Sequence, residues 1–181
     1  DRPLPGVLLL APTVHEDPRG FFFEAYNRRV FTGLGIDHSF VQDNHSRSRR
    51  GVLRGLHYQV RHQQAKLVRV TRGRVFDVVV DIRRGSPAFG RWTGAELSED
   101  NRLQLYAPAG FAHGFLVLSE VAEFQYKCSD FYAPQTEGGI HYADPDLKIQ
   151  WPLAAPLLSD KDRGFPFLRD IPPEALPRYP K

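Results

Sequence analysis

The chain has 181 residues, of which 41% are hydrophobic and 12% aromatic, with a single cysteine and a formal net charge of +3. That length suits one domain over residues 1–181, and 15 glycines and 15 prolines spread as punctuation exclude a helical bundle and a disordered chain. A lone Cys128 excludes an internal disulfide and a cysteine-based zinc site, and points to a reducing compartment. The longest apolar run, residues 7–11, is too short for a membrane span or a signal peptide. The mild positive charge favours an anionic ligand, but no dense basic run with interleaved aromatics marks a nucleic-acid surface. The expectation is a cytoplasmic protein with neither membrane nor nucleic-acid partners.

Residues 6–12 read as a short strand stopped by proline, and 16–20 as a turn that launches 21–26 as a second strand. Asn27 is placed to cap a short helix, with Val30, Phe31 and Leu34 at helical spacing and Gly35 at its end. Residues 40–46 form a strand running into a polar segment, and the basic run to Arg50 reads as a loop. From Gly51 strand signals follow closely. Residues 67–71 and 75–82 alternate on either side of Arg72-Gly73, the pattern of a hairpin. Further strands are expected at 91–97, 102–106, 113–118 and 122–128. Many short strands with no helices between them predict an all-β fold, an antiparallel jelly-roll sandwich with its core at about 40–130. The N-terminal strands, 6–26, pack on that core. Prolines from Pro145 to Pro180 break any long element, so residues 134–181 are expected to wrap the sandwich as an extension with one or two short helices.

Residues 52–66 bring Arg54, His57 and Lys66 close together in the chain. Simple strand alternation puts Gly55 and His57 on one face and Arg54, Leu56 and Tyr58 on the other. A lone histidine in a strand is more often structural, but here a glycine leaves room beside an imidazole that titrates near neutral pH, and a lysine stands near it. Residues 108–113, Pro-Ala-Gly-Phe-Ala-His, use proline and glycine to deliver His113 at the start of a strand. Pro-x-Gly-x-x-His resembles the second motif of the cupins, a jelly-roll superfamily. Metal-binding cupins carry His-x-His and then Glu in their first motif; this chain has His57-Tyr58-Gln59 and no Glu in the next few positions. An amide is a poor substitute for a ligating imidazole, so neither a metal nor a cofactor is expected.

A site built on His, Lys and Tyr suits removal of a proton beside a carbonyl. His57 would be the base, Lys66 would face the enolate oxygen and a tyrosine would return the proton. A carboxylate would hold the second imidazole nitrogen. Spacing leaves open which tyrosine and which carboxylate.

Seven ordered segments carry a resemblance that covers nearly the whole chain. They are Arg19-Gly-Phe-Phe-Phe-Glu24, Phe40-Val-Gln-Asp-Asn-His-Ser46, Val52-Leu-Arg-Gly-Leu-His57, Lys66-Leu-Val-Arg69, Phe76-Asp-Val-Val-Val-Asp-Ile-Arg83, Gly110-Phe-Ala-His-Gly-Phe115 and Leu158-Ser-Asp-Lys-Asp162. Together they resemble the dTDP-4-dehydrorhamnose 3,5-epimerase family. That resemblance implies a cofactor-free homodimeric jelly roll that inverts the two carbons flanking the ketone of a dTDP-sugar, dTDP-4-dehydro-6-deoxy-D-glucose. It implies His57 as base, Asp162 as its carboxylate partner, Tyr126 as acid and Lys66 facing the ketone. It implies Arg54 and His113 along the sugar and pyrophosphate, and Gln42, Asn44, Arg19 and Glu24 at the nucleotide, some of them across the dimer interface. Tyr132, stacking on thymine, and Glu137 and Lys161 are implied as further ligands. Asp77 and Asp81 read as structural hydrogen-bonding residues, Phe21 to Phe23 as packing, and Arg47, Arg49 and Arg50 as a solvated loop. Two other readings stay open: an epimerase acting at one carbon or on a related dTDP-keto-sugar, and a non-catalytic or metal-dependent sugar-binding cupin.

Overall fold

The alternation seen in the sequence is resolved into two facing sheets in the computed structural model, which describes residues 3–180. In chain order the elements are β1 (Leu8–Leu10), β2 (His15–Asp17), β3 (Gly20–Phe22), α1 (Arg28–Gly33), β4 (Gln42–Arg49), β5 (Leu53–Gln59) and β6 (Lys66–Arg72). They continue with β7 (Arg74–Asp81), β8 (Trp92–Ser98), β9 (Gln104–Ala107), β10 (Phe111–Val117), β11 (Val121–Cys128), β12 (Glu137–Gly139) and α2 (Asp160–Arg163). One sheet has the order β1-β9-β6-β11-β4 and the other β12-β5-β10-β7-β8, with antiparallel neighbours throughout. This is the all-β jelly-roll sandwich expected.

The space between the sheets is filled by Val68, Val70, Leu105 and Phe124 from the first and Val75, Val79, Leu97, Phe111 and Phe115 from the second. The outer face of the second sheet is also apolar, through Leu56, Tyr58, Val78 and Val80, and it is covered by Ile140, Leu147, Leu168, Ile171 and Leu176 of the C-terminal extension. β7 is therefore buried on both faces, which is why it reads Val-Phe-Asp-Val-Val-Val-Asp instead of alternating with polar residues. The α1 region covers part of the first sheet through Phe31 and Ile36, packed with Leu8, Leu67 and Tyr106. Asn27 caps α1 by accepting from the Arg29 backbone N–H.

Four local expectations are corrected. The basic run is strand, not loop: β4 pairs with β11 in unbroken register from Val121↔Arg49 to Cys128↔Gln42. Its inward positions are polar, Ser48 being buried, so no apolar alternation announced it. Residues 72–73 make no hairpin; β6 pairs with β9 and β11 whereas β7 pairs with β8 and β10, so Gly73 carries the chain from one sheet to the other. A Cβ there would lie 2.0 Å from Val121 O. The second strand ends at Phe22, making a separate β2–β3 hairpin.

The fourth correction bears on the site. β10 and β5 pair at His113↔His57 and next at Phe115↔Arg54, so three steps along β5 match two along β10. This bulge turns Arg54 toward the same side as His57, where unbroken alternation would oppose them; Arg54 Nε donates to Ser48 Oγ on the facing sheet at 3.0 Å. Gly55 and Gly114 make the close approach possible: a Cβ on Gly55 would lie 2.6 Å from Gly114 Cα, and Gly55 has φ +138°.

Candidate active site

β5 offers His57 half-buried at the edge of the inter-sheet space, and its Nε2 lies 2.7 Å from Asp162 Oδ1. The C-terminal extension brings that carboxylate in. Leu157 donates to Gly51 O and Leu53 donates back to Leu157 O, which ties the extension to the start of β5. Ser159 then caps α2 by accepting from the Asp162 N–H at 3.1 Å, and Gly164 ends the helix. Asp162 Oδ2 accepts from Gly55 N at 3.3 Å. Burial acts to raise the Asp162 pKa, but hydrogen bonds from His57 and Gly55 and the His57 charge outweigh it and hold the carboxyl below its usual range. With Nε2 committed to Asp162, Nδ1 is the ring nitrogen left for a substrate. Phe165 packs edge-on against the imidazole at 5.6 Å.

The opposite wall comes from the other sheet. Tyr126 on β11 pairs with Asn44 on β4, and Cys128 pairs with both Gln42 and Lys66, so Tyr126, Asn44, Gln42 and Lys66 share one face. With His57, Tyr132 and Glu137 they line a cleft of about 300 Å³. Lys66 Nζ lies 5.7 Å from the Tyr126 ring centroid. Burial pulls the lysine pKa down, against the opposing pull of Cys128, Glu137 and Asp77. Burial likewise pushes the Tyr126 phenol up, so it is protonated at neutral pH and able to donate. On the far side of His57 a second cavity of about 410 Å³ is lined by Arg49, Arg54 and Lys161.

At the rim, Glu137 accepts from Lys161 Nζ and from the Tyr132 hydroxyl. Burial acts to raise its pKa, but these hydrogen bonds and the Lys161 charge prevail and lower it. Gln42 Nε2 donates to Asn44 Oδ1 at 3.1 Å.

Three expected ligands lie elsewhere. Arg19 is exposed in the β2–β3 turn, ion-paired with Asp17, and Glu24 accepts from Asn27; neither lines this cleft. His113 is buried behind it, its Nε2 at 3.0 and 2.9 Å from the two Asp77 oxygens. Asp77 and Asp81 both serve hydrogen bonds, Asp81 receiving Arg83 and Ser86. Gln59, at the position of a cupin metal ligand, instead has its amide oxygen accepting from Ala133 N and its nitrogen donating to the His62 and Phe131 carbonyls. Among the described residues no group of three or more His, Cys, Asp or Glu is placed to hold a metal ion.

The sequence profile described as dTDP-4-dehydrorhamnose 3,5-epimerase matches residues 1–170. The chain belongs to this family. The dTDP-4-dehydrorhamnose 3,5-epimerase of Pseudomonas aeruginosa is 64% identical over 162 residues, covering 88% of this chain and 90% of that protein. The crystal structure of the Legionella pneumophila dTDP-6-deoxy-D-glucose-3,5-epimerase, in complex with dTDP-4-keto-L-rhamnose, matches with a TM-score of 0.97 at 50% identity, over 100% of this chain and 97% of that one. A 3'-monoepimerase from Streptomyces bikiniensis, in complex with dTDP-quinovose, matches at 0.85 and 39% identity, over 91% and 84%. Within this epimerase the cleft sets the Asp162-held imidazole of His57 on one sheet against the Tyr126 phenol and Lys66 on the other.

Proposed function

We propose that this cleft converts dTDP-4-dehydro-6-deoxy-D-glucose to dTDP-4-dehydro-L-rhamnose by inverting C3 and C5, with His57 as base and Tyr126 as acid. One observation carries the reading: a carboxylate-held imidazole on one sheet faces a protonated phenol and a lysine on the other. His57 Nδ1 takes the proton from a carbon beside the C4 ketone, and the C–H electron pair moves into the carbonyl to give an enolate. Lys66 stabilises the negative oxygen. Tyr126 returns a proton to the same carbon from the opposite face, which inverts it; the imidazolium then gives its proton to solvent and the phenolate takes one from solvent, and the reset pair acts in the same way at the second carbon. Only protons move, so the reaction consumes no oxidant or reductant.

Arg54, Lys161 and Asn44 provide charge and hydrogen bonds for the pyrophosphate and nucleotide, with Gln42, Glu137 and Tyr132 at the rim. His113 supports the wall from behind through Asp77. The enzyme works as one cytoplasmic domain and as a homodimer. Arg19 and Glu24, which do not line their own cleft, serve the partner's, and Phe21 and Phe22, 57% and 71% exposed on the same hairpin, suit burial against a second copy.

The test is to incubate enzyme and substrate in deuterated water and follow the sugar protons by NMR. Exchange at both C3 and C5 is expected. Exchange at one carbon alone would replace the double epimerase by a single-carbon enzyme, the second reading favoured by the likeness to the 3'-monoepimerase. No exchange would overturn catalysis in this cleft.

A further inference from the structure

We propose that Gln59 and Gln64, with Gln42, are positioning residues: their carboxamides hold residues 130–133 across the cleft mouth and so fix the Tyr132 ring for the nucleotide base. The proposal rests on the reading of Tyr132 as the residue that stacks on that base.

The chain leaves β11 at Cys128 and enters a short 3-10 turn at Pro134–Thr136. Backbone groups that leave a sheet need new partners, and here glutamine side chains provide them. Gln64 Nε2 donates to Asp130 O at 2.9 Å, and Gln59 Nε2 donates to Phe131 O at 3.3 Å. Gln42 Oε1 accepts from Tyr132 N at 2.9 Å, and Gln59 Oε1 accepts from Ala133 N at 2.8 Å.

Gln59 ends β5 in one sheet and Gln42 begins β4 in the other, so the backbone of Tyr132 is pinned from both walls. Gln59 is 6% exposed and its nitrogen also donates to His62 O. The Tyr132 residue itself is 51% exposed. A projecting ring on an immobilised backbone presents a flat apolar face with little left to order on binding. Carboxamides do not titrate, so this hold on the backbone is independent of pH, whereas the ring's own hydroxyl donates to Glu137, a titratable group paired with Lys161. A base stack is made equally in the ground state and the transition state, so losing it falls on affinity and KM rather than on kcat.

Gln59→Glu is the informative variant. It keeps the shape and the acceptor for the Ala133 N–H, but puts an acceptor against the Phe131 and His62 carbonyls. Binding of dTDP, measured by titration calorimetry, is compared in the wild type, Gln59→Glu, Tyr132→Ala and the double variant. Each single change is expected to weaken dTDP about three- to tenfold, with the double variant no weaker than Tyr132→Ala alone. Fully additive losses would overturn the proposal, because Gln59 would then act by another route. A weakened Tyr132→Ala beside an unchanged Gln59→Glu sinks the proposal but spares the stacking reading. An unchanged Tyr132→Ala sinks both. Should Gln59→Glu fail to fold, hydrogen exchange of the wild-type amides decides: Tyr132 and Ala133 N–H are expected to be protected, and exchange at open-loop rates would overturn the clamp.

Discussion

His57 and Asp162 are 105 positions apart in the chain, and their side chains meet at 2.7 Å. The C-terminal extension therefore does two jobs with one path: it covers the apolar outer face of the second sheet and it delivers the carboxylate that holds the His57 imidazole, the proposed base. Asp162→Asn preserves the shape of the contact but removes the charge that would stabilise an imidazolium, so turnover is expected to fall at least about 10²-fold. His57→Ala should abolish exchange at both carbons. NMR exchange rates check both, and an asparagine variant within a few-fold of wild type would mean that the pair is structural.

A variant of Tyr126, the proposed acid, separates the two halves of the proposed reaction. Tyr126→Phe keeps the ring packed against Phe124 at a centroid distance of 6.0 Å and deletes only the hydroxyl. Loss of the first proton, read as solvent exchange, is expected to fall much less than net inversion. Equal losses in both would mean that the phenol is not the returning acid.

Lys66 carries a cost in stability. Its folded-state pKa is lowered, chiefly by burial, so folding disfavours the charged form. A base shifted this way destabilises the protein below its folded pKa, and the penalty fades as pH rises toward the unfolded value near about 10. Lys66→Met fills similar volume without charge, so the expected result at pH 7 is a higher thermal midpoint with turnover reduced about 10²–10³-fold. A lower midpoint would show that the ammonium is held favourably by Asp77 and Glu137 after all.

Acid should loosen the fold through its hydrogen-bonded carboxylates. Asp162, Glu137 and Asp81 all have lowered pKa values; burial opposes the shift in each, and hydrogen bonds and cations prevail. Such carboxylates contribute stability above the unfolded pKa of about 4 and lose it as pH falls through their folded values. Asp77 is raised, mainly by burial, so its protonation offsets part of that loss. Thermal midpoints between pH 6 and 3 are expected to drop, less in Glu137→Gln and more steeply in Asp77→Asn. A midpoint independent of pH would contradict the assignment.

The fold was legible where one residue's chemistry sets a local geometry, as with the Asn27 cap. It was illegible where local pattern is silent about partners. Arg72-Gly73 looks the same whether two strands pair or part into different sheets, and only the register separates the cases. β12 is Glu-Gly-Gly, with no strand propensity of its own, and is recruited by β5. In the site, His57 and Lys66 could be read from their chemistry in one short stretch, whereas Asp162 and Tyr126 came only through resemblance, because tertiary contact alone places them beside it. The face of Arg54 was misread for one reason, the extra residue in β5.

That extra residue also gives the sharpest structural test. At the bulge the Gly55 and Gly114 backbones lie close together: a Cβ on Gly55 would meet Gly114 Cα at 2.6 Å and His113 O at 3.1 Å, and backbone cannot swing aside as a side-chain tip does. At φ +138° an L side chain is strained as well. Gly55→Ala must therefore push β5 and β10 apart or move the bulge, at an expected cost of about 2 kcal/mol or more in chemical denaturation. Either response shifts the Gly55 N–H away from Asp162 and turns Arg54 out of the second cavity beside His57, so exchange at C3 and C5 should fall even where the protein stays folded. Gly20→Ala is the control, since a Cβ there meets nothing within 4 Å although φ is +129°. If the two alanine variants lose stability equally, backbone strain explains the effect and the close approach of β5 and β10 does not.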